Sequence, residues 1–384
     1  MDFQLTEEQS MWRQTVHDFV AKEVRPQAAE MDRTATFHAE AFRKMAPLGL
    51  LGLNIPEDLG GAGVDAVGAA LAIEEFGWAD GGTALSVSAH NGLGCAPIAM
   101  FGTRAQQERW LPTLATGQKG LAALGLTESG GGSDLAGSVE TVAEKRGDEW
   151  VIRGSKAWIT NVSVAHVIVT LCRTDPSAGR QGFSLLVVPA DAPGVVVHPP
   201  EHKMGVRASP THALTYEDVR VPADHLLGQP GDGLHQTFRV LDGGRISIGA
   251  LSLGLARAAH EEALRYAQER QAFGGPLTRI EAIQFMLADA ATHIEAARWL
   301  VLHAAWLRSR GEAHTSQAAM AKLFASEAAE TICRNAIQIL GSYGYSSEYP
   351  VERMYRDARL MTIGEGTSEV QRMVIARRLT EAPG

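Results

Sequence analysis

A block of short strand-like runs lies between two stretches with helical periodicity, and this order constrains the fold more than any other feature of the chain. Between about Leu121 and Pro222 the runs are rich in β-branched and aromatic residues: TVAEKRGDEWVIRG, HVIVTLCR, FSLLVVP, GVVVHP and THALTYEDVRV. Turn clusters such as Arg146-Gly147-Asp148 separate them, as in a small antiparallel barrel or sandwich. The block predicts a β domain inserted between helical domains.

The residues before this block have a helical pattern. Thr6-Glu7-Glu8-Gln9 is typical of a capping box at a helix start. Apolar residues then recur at three-to-four spacing, namely Trp12, Val16, Phe19, Val20 and Val24. Turn signals such as Gly60-Gly61-Ala62-Gly63 interrupt the pattern, so several short helices are predicted.

Long apolar-periodic stretches return from about Leu234, at roughly 234–270, 278–310, 315–341 and 367–380. Four long helices indicate a bundle. The predicted fold class is therefore α+β, with an N-terminal α-helical domain at 1–120, a β domain at 121–233 and a C-terminal helical bundle at 234–384. No GxGxxG follows a strand to open a helix, so a Rossmann domain is not expected.

Composition limits the possible partners. The net charge is −9, and no segment is strongly basic, because residues 234–384 carry 17 Lys and Arg against 16 Asp and Glu. Nucleic acid or an anionic membrane would require a concentrated positive face. The three cysteines are too scattered for a disulfide framework or a metal site, and no apolar run approaches the roughly 18 residues of a membrane span. We expect a cytoplasmic protein with no metal, membrane or nucleic acid partner.

Three segments could carry chemistry. In LTESGGGSDLAG, residues 126–137, glycines would let backbone N–H groups approach an anion, with Thr127, Ser133 and Asp134 adding hydrogen bonds. A mobile surface turn is the alternative.

The second segment contains Trp158 and Thr160, which lie two apart on one face of a predicted strand, where they could flank a planar heterocycle. A core tryptophan beside a solvated threonine is the alternative.

The third segment is a glycine-flanked loop that contains Glu365. Ser368 and Gln371 match a capping box, so the loop is predicted to lie just before a helix N-terminus. The helix dipole would favour the carboxylate and burial would favour the acid, and together they could set a pKa suited to proton abstraction. A solvated loop glutamate is the alternative.

Taken in order, these segments resemble the acyl-CoA dehydrogenase family over essentially the whole chain. The family's TEPGxGSD loop corresponds to TESGGGSD, its WIT strand to Trp158-Ile159-Thr160, its RxxF segment to residues 270–273, its QxxGG segment to residues 338–342 and its ExGT catalytic loop to residues 365–367. The resemblance implies an N-terminal helical domain, a middle β-barrel or sandwich and a C-terminal four-helix bundle. It also implies FAD-dependent conversion of an acyl-CoA to the trans-2-enoyl-CoA, with electrons passed to electron-transfer flavoprotein.

The resemblance further implies the site residues. FAD would contact Leu126, Thr127, Gly132, Ser133, Trp158, Ile159, Thr160, Arg270, Phe273, Gln338, Gly341, Thr367 and Glu369, with Thr160 at flavin N5. Arg270, Phe273, Gln338 and Gly341 would act across a subunit interface, so a dimer is the minimum unit and a dimer of dimers is the family's usual state. Acyl-CoA would contact Ser133, Asp242, Gly244, Arg245 and Gly366, although Arg245 could instead be a surface helix residue.

The resemblance makes Glu365 the base that removes the α-proton. Some relatives carry their catalytic glutamate at the position of Gly244, and the glycine leaves that task to Glu365. Four positions depart from the family pattern: Ser129 replaces a proline, Ser342 a glycine, Glu281 a glutamine near the adenylate, and Gly364 a tyrosine found in several relatives. The glycine at 364 would widen the acyl pocket for branched or cyclic chains.

Two alternative functions stay open. An acyl-CoA oxidase would pass electrons to dioxygen, but such enzymes usually have a longer chain with an extra helical domain. A DNA-associated or regulatory relative would use the fold as a binding module. That function predicts a basic carboxy-terminal region, which the nearly neutral balance in 234–384 does not provide.

Overall fold

The computed structural model describes residues 4–380. In this part of the chain seven α-helices precede the sheet: α1 (Glu7–Glu23), α2 (Ala28–Thr34), α3 (Ala39–Met45), α4 (Ala66–Ala79), α5 (Gly81–Ser88), α6 (Ala96–Phe101) and α7 (Arg104–Thr116). The predicted capping box at the start of α1 is confirmed, because Gln9 N–H donates to Thr6 Oγ1 at 3.1 Å and Thr6 N–H donates to Gln9 Oε1 at 3.1 Å. A π-helix, Ala89–Cys95, joins α5 to α6. The sequence pattern gave no sign of it.

Eight strands form the middle sheet: β1 (Leu121–Gly125), β2 (Val142–Arg146), β3 (Glu149–Thr160), β4 (Ala165–Arg173), β5 (Phe183–Pro189), β6 (Val195–Pro200), β7 (Thr211–Pro222) and β8 (Leu226–Leu227). A short helix, α8 (Leu135–Ser138), lies between β1 and β2. The strand order is β6-β7-β3-β2-β4-β5-β8, and β1 pairs with β4. Each of the five predicted strand runs is confirmed.

The predicted antiparallel arrangement is wrong for two strand pairs. The pairs β2–β3, β3–β7, β6–β7, β4–β5 and β5–β8 are antiparallel, but β1–β4 and β2–β4 are parallel. The long connection from residue 126 to residue 164 allows β4 to return beside β1 in the same direction, as parallel pairing requires. The sheet is therefore mixed.

Five α-helices follow the sheet: α9 (Gly233–Glu269), α10 (Glu281–Ser309), α11 (Thr315–Leu340), α12 (Val351–Met361) and α13 (Ser368–Thr380). A two-stranded ribbon, β9 (Gln271–Ala272) and β10 (Gly275–Pro276), connects α9 to α10. The four predicted helices are confirmed. The fifth, α12, was not predicted, and it directly precedes the Glu365 loop.

The N-terminal and C-terminal helices share one hydrophobic core, and the two faces of the sheet contribute to two others. Glycines let α4 and α9 cross closely, since a Cβ on Gly254 would collide with the backbone of α4 at Glu74 and one on Gly77 with α9 at Leu251. This close packing places α9 between the N-terminal helices and the C-terminal helices that carry the candidate site.

The division into domains at 1–120, 121–233 and 234–384 is kept as a proposal. Residues 1–3 and 381–384 of the outer two domains lie outside the described part of the chain. Within residues 4–380, no helix is long and apolar enough to cross a membrane.

Candidate active site

Glu365 lies in the turn between α12 and α13 with a left-handed backbone, φ 53°. Both oxygens of its carboxylate are buried, and neither has a hydrogen-bond partner among residues 4–380. This burial raises the pKa of Glu365 to about 7, although the charges of Lys322 and Arg245 lower it in part. The alternative of a solvated loop glutamate is therefore wrong. A carboxylate of this kind can accept a proton near neutral pH.

Two buried side chains hold the backbone of this loop. The carbonyl oxygen of Gly366 accepts hydrogen bonds from Lys322 Nζ at 2.9 Å and from Gln371 Nε2 at 2.8 Å. Gln371 Nε2 also lies 3.3 Å from the carbonyl oxygen of Glu365. Both Lys322 and Gln371 are fully buried, so hydrogen bonds from two interior side chains fix the position of the loop.

The predicted capping box of Ser368 and Gln371 is wrong. The capping hydroxyl belongs to Thr367, whose Oγ1 accepts from Val370 N–H at 3.3 Å, and Ser368 is the first residue of α13. The left-handed residues Glu365 and Gly366 direct their carbonyl oxygens toward Gln371, so its amide bonds to the loop instead of to the cap. The prediction that Glu365 directly precedes a helix is confirmed.

Gly244 of α9 lies directly against the Glu365 carboxylate. A Cβ atom on Gly244 would overlap Oε2 of Glu365, and it would lie 3.3 Å from Cδ2 of Leu93 in the π-helix. The structure thus brings α9, the π-helix and the Glu365 loop together at one point. A π-helix at this place is consistent with the frequent occurrence of π-bulges at functional sites.

Arg245 and Asp242 form a buried pair beside Gly244. Arg245 Nη1 donates to Asp242 Oδ1, and Thr315 Oγ1 of α11 donates to Asp242 Oδ2 at 2.6 Å. Only 5% of Arg245 is exposed, so the alternative of a surface helix residue is wrong. At the residue before Gly244, the guanidinium of Arg308 from α10 fills the space left by Gly243.

The glycine-rich loop is tied to β3. Ala157 N–H donates to the carbonyl oxygen of Thr127 at 2.9 Å. The buried Lys156 donates to Glu128 Oε1 at 2.7 Å and to the carbonyl oxygen of Leu171 at 2.8 Å. Glu128 also accepts from the backbone N–H groups of residues 140 and 141. These contacts fix the loop next to the Trp158 segment.

Sequence reasoning missed this Lys156–Glu128 pair, although a lysine flanked by strand residues was a visible signal. Within the same loop, the side chain of Asp134 accepts from Gly137 N–H at 3.1 Å and caps α8. Ser133 and Gly132 are exposed at the loop surface, while Thr127 is half-buried. Gly132 and Ser133 are thus exposed on this loop, whereas the carboxylate of Asp134 is occupied by the cap of α8.

Trp158 and Thr160 flank the fully buried Ile159 at the end of β3. Trp158 is 57% exposed with φ 61°, so the alternative of a core tryptophan is wrong. The next residue, Asn161, donates from Nδ2 to the carbonyl oxygen of Ser86 at 2.9 Å. This bond holds the end of β3 against α5, the helix that continues into the π-helix beside Gly244.

Four predicted residues lie at the other end of the molecule. Arg270 follows α9, Phe273 is 97% exposed in the β9–β10 turn, and Gln338 and Gly341 are exposed near the end of α11. Positions 244 and 270 are 26 residues apart on one helix, which corresponds to about 39 Å at 1.5 Å per residue. One chain does not bring these four residues to Glu365. Thr367 and Glu369, by contrast, adjoin the Glu365 loop.

Helical, sheet and helical parts thus position a buried carboxylate that has no hydrogen-bond partner in residues 4–380 and whose pKa is raised to about 7. Models of the N-terminal, middle and C-terminal domains of acyl-CoA dehydrogenases match residues 6–118, 123–219 and 231–380. The chain belongs to the acyl-CoA dehydrogenase family. The family and the three-part fold expected from the sequence are thus confirmed.

Relatives and solved structures agree with this family. The chain is 51% identical over 380 residues to "Probable acyl-CoA dehydrogenase YngJ" of Bacillus subtilis, covering 99% of this chain and 100% of the relative. It is 45% identical to the mitochondrial short-chain specific acyl-CoA dehydrogenase of Bos taurus, covering 99% and 92%. Butyryl-CoA dehydrogenase from Megasphaera elsdenii superposes with a TM-score of 0.96 at 40% identity, covering 99% and 100%.

One similar structure is an acyl-CoA dehydrogenase from Bacillus anthracis complexed with FAD. It superposes with a TM-score of 0.90 at 36% identity, covering 98% of this chain and 67% of that one.

Proposed function

We propose that this protein is an FAD-dependent acyl-CoA dehydrogenase that converts an acyl-CoA thioester to the trans-2-enoyl-CoA. The observation that carries the proposal is the Glu365 carboxylate, which is buried, has no hydrogen-bond partner in residues 4–380 and has its pKa raised to about 7. The short-chain and butyryl-CoA dehydrogenases among its relatives support acyl-CoA as the substrate class.

The residues present fit FAD. Trp158 and Phe273 are exposed aromatic residues with left-handed backbones, a conformation that costs energy and is typical of binding sites. Gly130 and Gly132 of the glycine-rich loop are exposed, so an anion could approach their backbone N–H groups. FAD would be held by Leu126, Thr127, Gly132, Ser133, Trp158, Ile159, Thr160, Thr367 and Glu369. When bound, the flavin supplies the acceptor for the hydride that leaves the β-carbon.

Glu365 performs the proton transfer in this proposal. Its carboxylate removes the α-proton, and its own backbone N–H has no protein acceptor among residues 4–380. That N–H is therefore available to donate to the thioester carbonyl oxygen as negative charge develops there, which would make the α-proton more acidic. Gly244 leaves the carboxylate room, while Asp242, Arg245, Gly366 and Ser133 surround the thioester and the CoA.

Gly364 bears on the acyl group. A Cβ on Gly364 would meet only Leu360, at 3.7 to 3.9 Å, which is ordinary van der Waals contact. The backbone therefore does not require glycine there, whereas Gly366 has φ 94° and a Cβ on it would lie 2.7 Å from Gln371 Nε2. The small residue at 364 leaves space beside the base, and we propose that branched or cyclic acyl chains enter it.

The distance along α9 supports an oligomer. Arg270, Phe273, Gln338 and Gly341 lie too far from Glu365 to contact the same cofactor in one chain, so they would hold the adenosine end of FAD bound to a neighbouring subunit. A dimer is then the smallest unit with a complete site, and a dimer of dimers satisfies the same requirement. Electron-transfer flavoprotein is the proposed acceptor.

Anaerobic titration of the purified protein with a panel of acyl-CoAs tests the proposal. We expect a yellow protein whose flavin absorbance bleaches with at least one acyl-CoA, and whose bleaching rate falls at least a hundredfold in Glu365→Gln. A protein that binds no FAD on reconstitution would refute the function, and full activity in Glu365→Gln would refute the base. Rapid reoxidation of the reduced protein by dioxygen would favour the oxidase alternative over electron-transfer flavoprotein.

A further inference from the structure

Lys322 is a buried lysine that the proton transfer described above does not use. It lies on α11, its side chain is fully buried, and Ala318, Ala321 and Ala325 of the same helix are buried around it. Its ammonium donates to the carbonyl oxygen of Gly366 at 2.9 Å, one residue after the base. Burying an ammonium among alanines is costly unless nearby charges and hydrogen bonds compensate.

The acidic group near this ammonium that takes part in the proposed reaction is Glu365. No ion pair within 4 Å joins Lys322 and Glu365, and both carboxylate oxygens lack hydrogen-bond partners in residues 4–380. The two charges therefore interact through space, across a medium of low polarity. A direct salt bridge would occupy the carboxylate oxygens, but an ammonium held one residue away leaves them free to accept a proton.

We propose that Lys322 is a positioning residue, which anchors the Glu365 loop through the Gly366 carbonyl and sets the acid strength of Glu365 through space. The inference rests on the proposed role of Glu365 as the base. It assigns two separable tasks to one side chain: a hydrogen bond that fixes the backbone, and a charge that favours the ionised carboxylate.

Of the two cations that lower the pKa of Glu365, Lys322 has the larger effect. Glu365 faces Lys322 from α11 and Arg245 from α9. Arg245 is already paired with Asp242, which offsets its charge. Lys322 itself faces Glu365, Arg245, Glu327 and Glu369, and Glu327 is paired with Arg372 at 2.8 Å.

Burial lowers the pKa of Lys322 to about 8, while Glu365 raises it in part. With the pKa of Glu365 at about 7, the ionised base and the charged ammonium coexist between about pH 7 and pH 8. As pH rises through the pKa of Lys322, the ammonium loses the charge that assists ionisation of Glu365. Glu365 is already ionised at the pH at which Lys322 loses its charge.

Three variants separate the two tasks. Lys322→Gln removes the charge and keeps an N–H donor on a side chain one bond shorter, Lys322→Met removes both, and Lys322→Arg keeps the charge. Lys203→Met is the matched control, because Lys203 also has a pKa lowered to about 8 by burial and donates to Ser209 and Thr211 away from Glu365. The measurements are the pH profile of kcat/KM and the carboxyl C=O infrared band, assigned to Glu365 by its loss in Glu365→Gln.

We expect the acid limb of kcat/KM and the midpoint of the infrared titration to move up by about one pH unit in Lys322→Gln, equivalent to a tenfold loss at acidic pH. Lys322→Met should show the same shift and also a lower plateau, whereas Lys322→Arg and Lys203→Met should keep the parental midpoint. An unshifted midpoint in Lys322→Gln would overturn the inference. If Lys322→Met does not fold, Lys322→Gln and Lys322→Arg decide the outcome.

The infrared titration also separates two failures. If none of the acyl-CoAs bleaches the flavin absorbance of the parent protein, the proposed function is refuted. The infrared titration of Glu365 would still show whether Lys322 sets its pKa. A parent that turns over normally, with the same infrared midpoint in all four variants, would refute only the role of Lys322.

Discussion

Gly244 of α9 lies directly against the carboxylate of Glu365, because any Cβ at position 244 would occupy the space that Oε2 of Glu365 fills. The carboxylate has this position because α9 provides no side chain there, and the contact leaves no room for a rotamer change on that side. Relatives whose glutamate is carried on this helix would, by the same geometry, need a small residue at position 365.

Gly244→Ala should therefore displace the base. We expect kcat to fall at least a hundredfold, while FAD content and the melting temperature change little, because a misplaced proton acceptor costs rate and not cofactor contacts. Single-turnover flavin reduction measures the effect. Gly92→Ala is the control, since a Cβ there would meet only Ser247 Oγ at 3.8 Å; an equal loss in both variants would count against the displacement.

Glu365→Gln should make the folded protein more stable while removing activity. Since burial raises the pKa of Glu365 to about 7, above its ordinary value of 4.5, the carboxyl is stabilising only in its protonated form, and stability is lost as pH rises through 7. The amide removes this penalty, by no more than about 3 kcal/mol in the free energy of unfolding. Urea unfolding should show a larger gain in the free energy of unfolding at pH 8 than at pH 5. The exposed control Glu348→Gln should show no such gain.

The Lys156–Glu128 pair should couple strongly in a double-mutant cycle. Lys156→Met alone should cost about 3–5 kcal/mol, because it leaves a buried carboxylate without its cation. Adding Glu128→Gln should cost less than the sum of the single changes, because it removes the buried charge that Lys156→Met leaves without its cation, and the amide oxygen still accepts from one of the N–H groups of residues 140 and 141. Urea unfolding measures all four proteins, and strict additivity would show that the pair is not coupled.

Filling the space at Gly364 should change substrate preference. Gly364→Tyr should lower kcat/KM for branched acyl-CoAs at least tenfold relative to straight chains, because the ring would occupy the volume beside the base. Gly364→Ala should have an intermediate effect. The hypothesis fails if the parent protein already discriminates steeply against every branched acyl-CoA.

His90 should stay neutral well below the ordinary pKa of histidine. Ala122 N–H donates to Nδ1 at 2.9 Å, so Nε2 carries the proton and donates to the carbonyl oxygen of Leu51 at 2.8 Å. Burial lowers the pKa of His90 to about 4. The unfolded chain binds a proton near pH 6.5 and the folded chain does not, so the stability contributed by His90 is lost as pH falls from 6.5 to 4.

Nitrogen-15 NMR of the imidazole measures this state, and we expect the neutral Nε2–H tautomer at pH 5. His235, whose side chain is exposed, is the comparison residue. A charged His90 at pH 5 would contradict the hydrogen-bond assignment.

Much of this architecture could be predicted from the sequence because periodicity and turn chemistry act locally. The capping hydroxyl of Thr6, the turn at Gly147 and the apolar stripe of α10 all depend on residues near them in the chain. The parallel pairing of β1 with β4 could not be predicted in this way, because it depends on how a long connection crosses the sheet.

The candidate site shows the same limit. Glu365 was identifiable from its glycine-flanked loop, but the groups that set its environment come from three other elements: Gly244 from α9, Leu93 from the π-helix and Lys322 from α11. The Ser368–Gln371 capping box was wrong because the loop carbonyls compete for the same glutamine amide, a contact that depends on the left-handed backbone at Glu365 and Gly366. A local sequence pattern cannot predict which groups compete for the Gln371 amide.

The left-handed backbone at Trp158, Phe273 and Glu365 has a consequence for protein engineering. Each of these non-glycine residues adopts a conformation that glycine would take at lower cost, by roughly 1 kcal/mol or more per position. A random library selected only for heat resistance should therefore accumulate glycine at positions 158, 273 and 365. Such thermostable variants would lose the two aromatic rings and the carboxylate together, so heat resistance gained at these three positions would come with loss of the proposed activity.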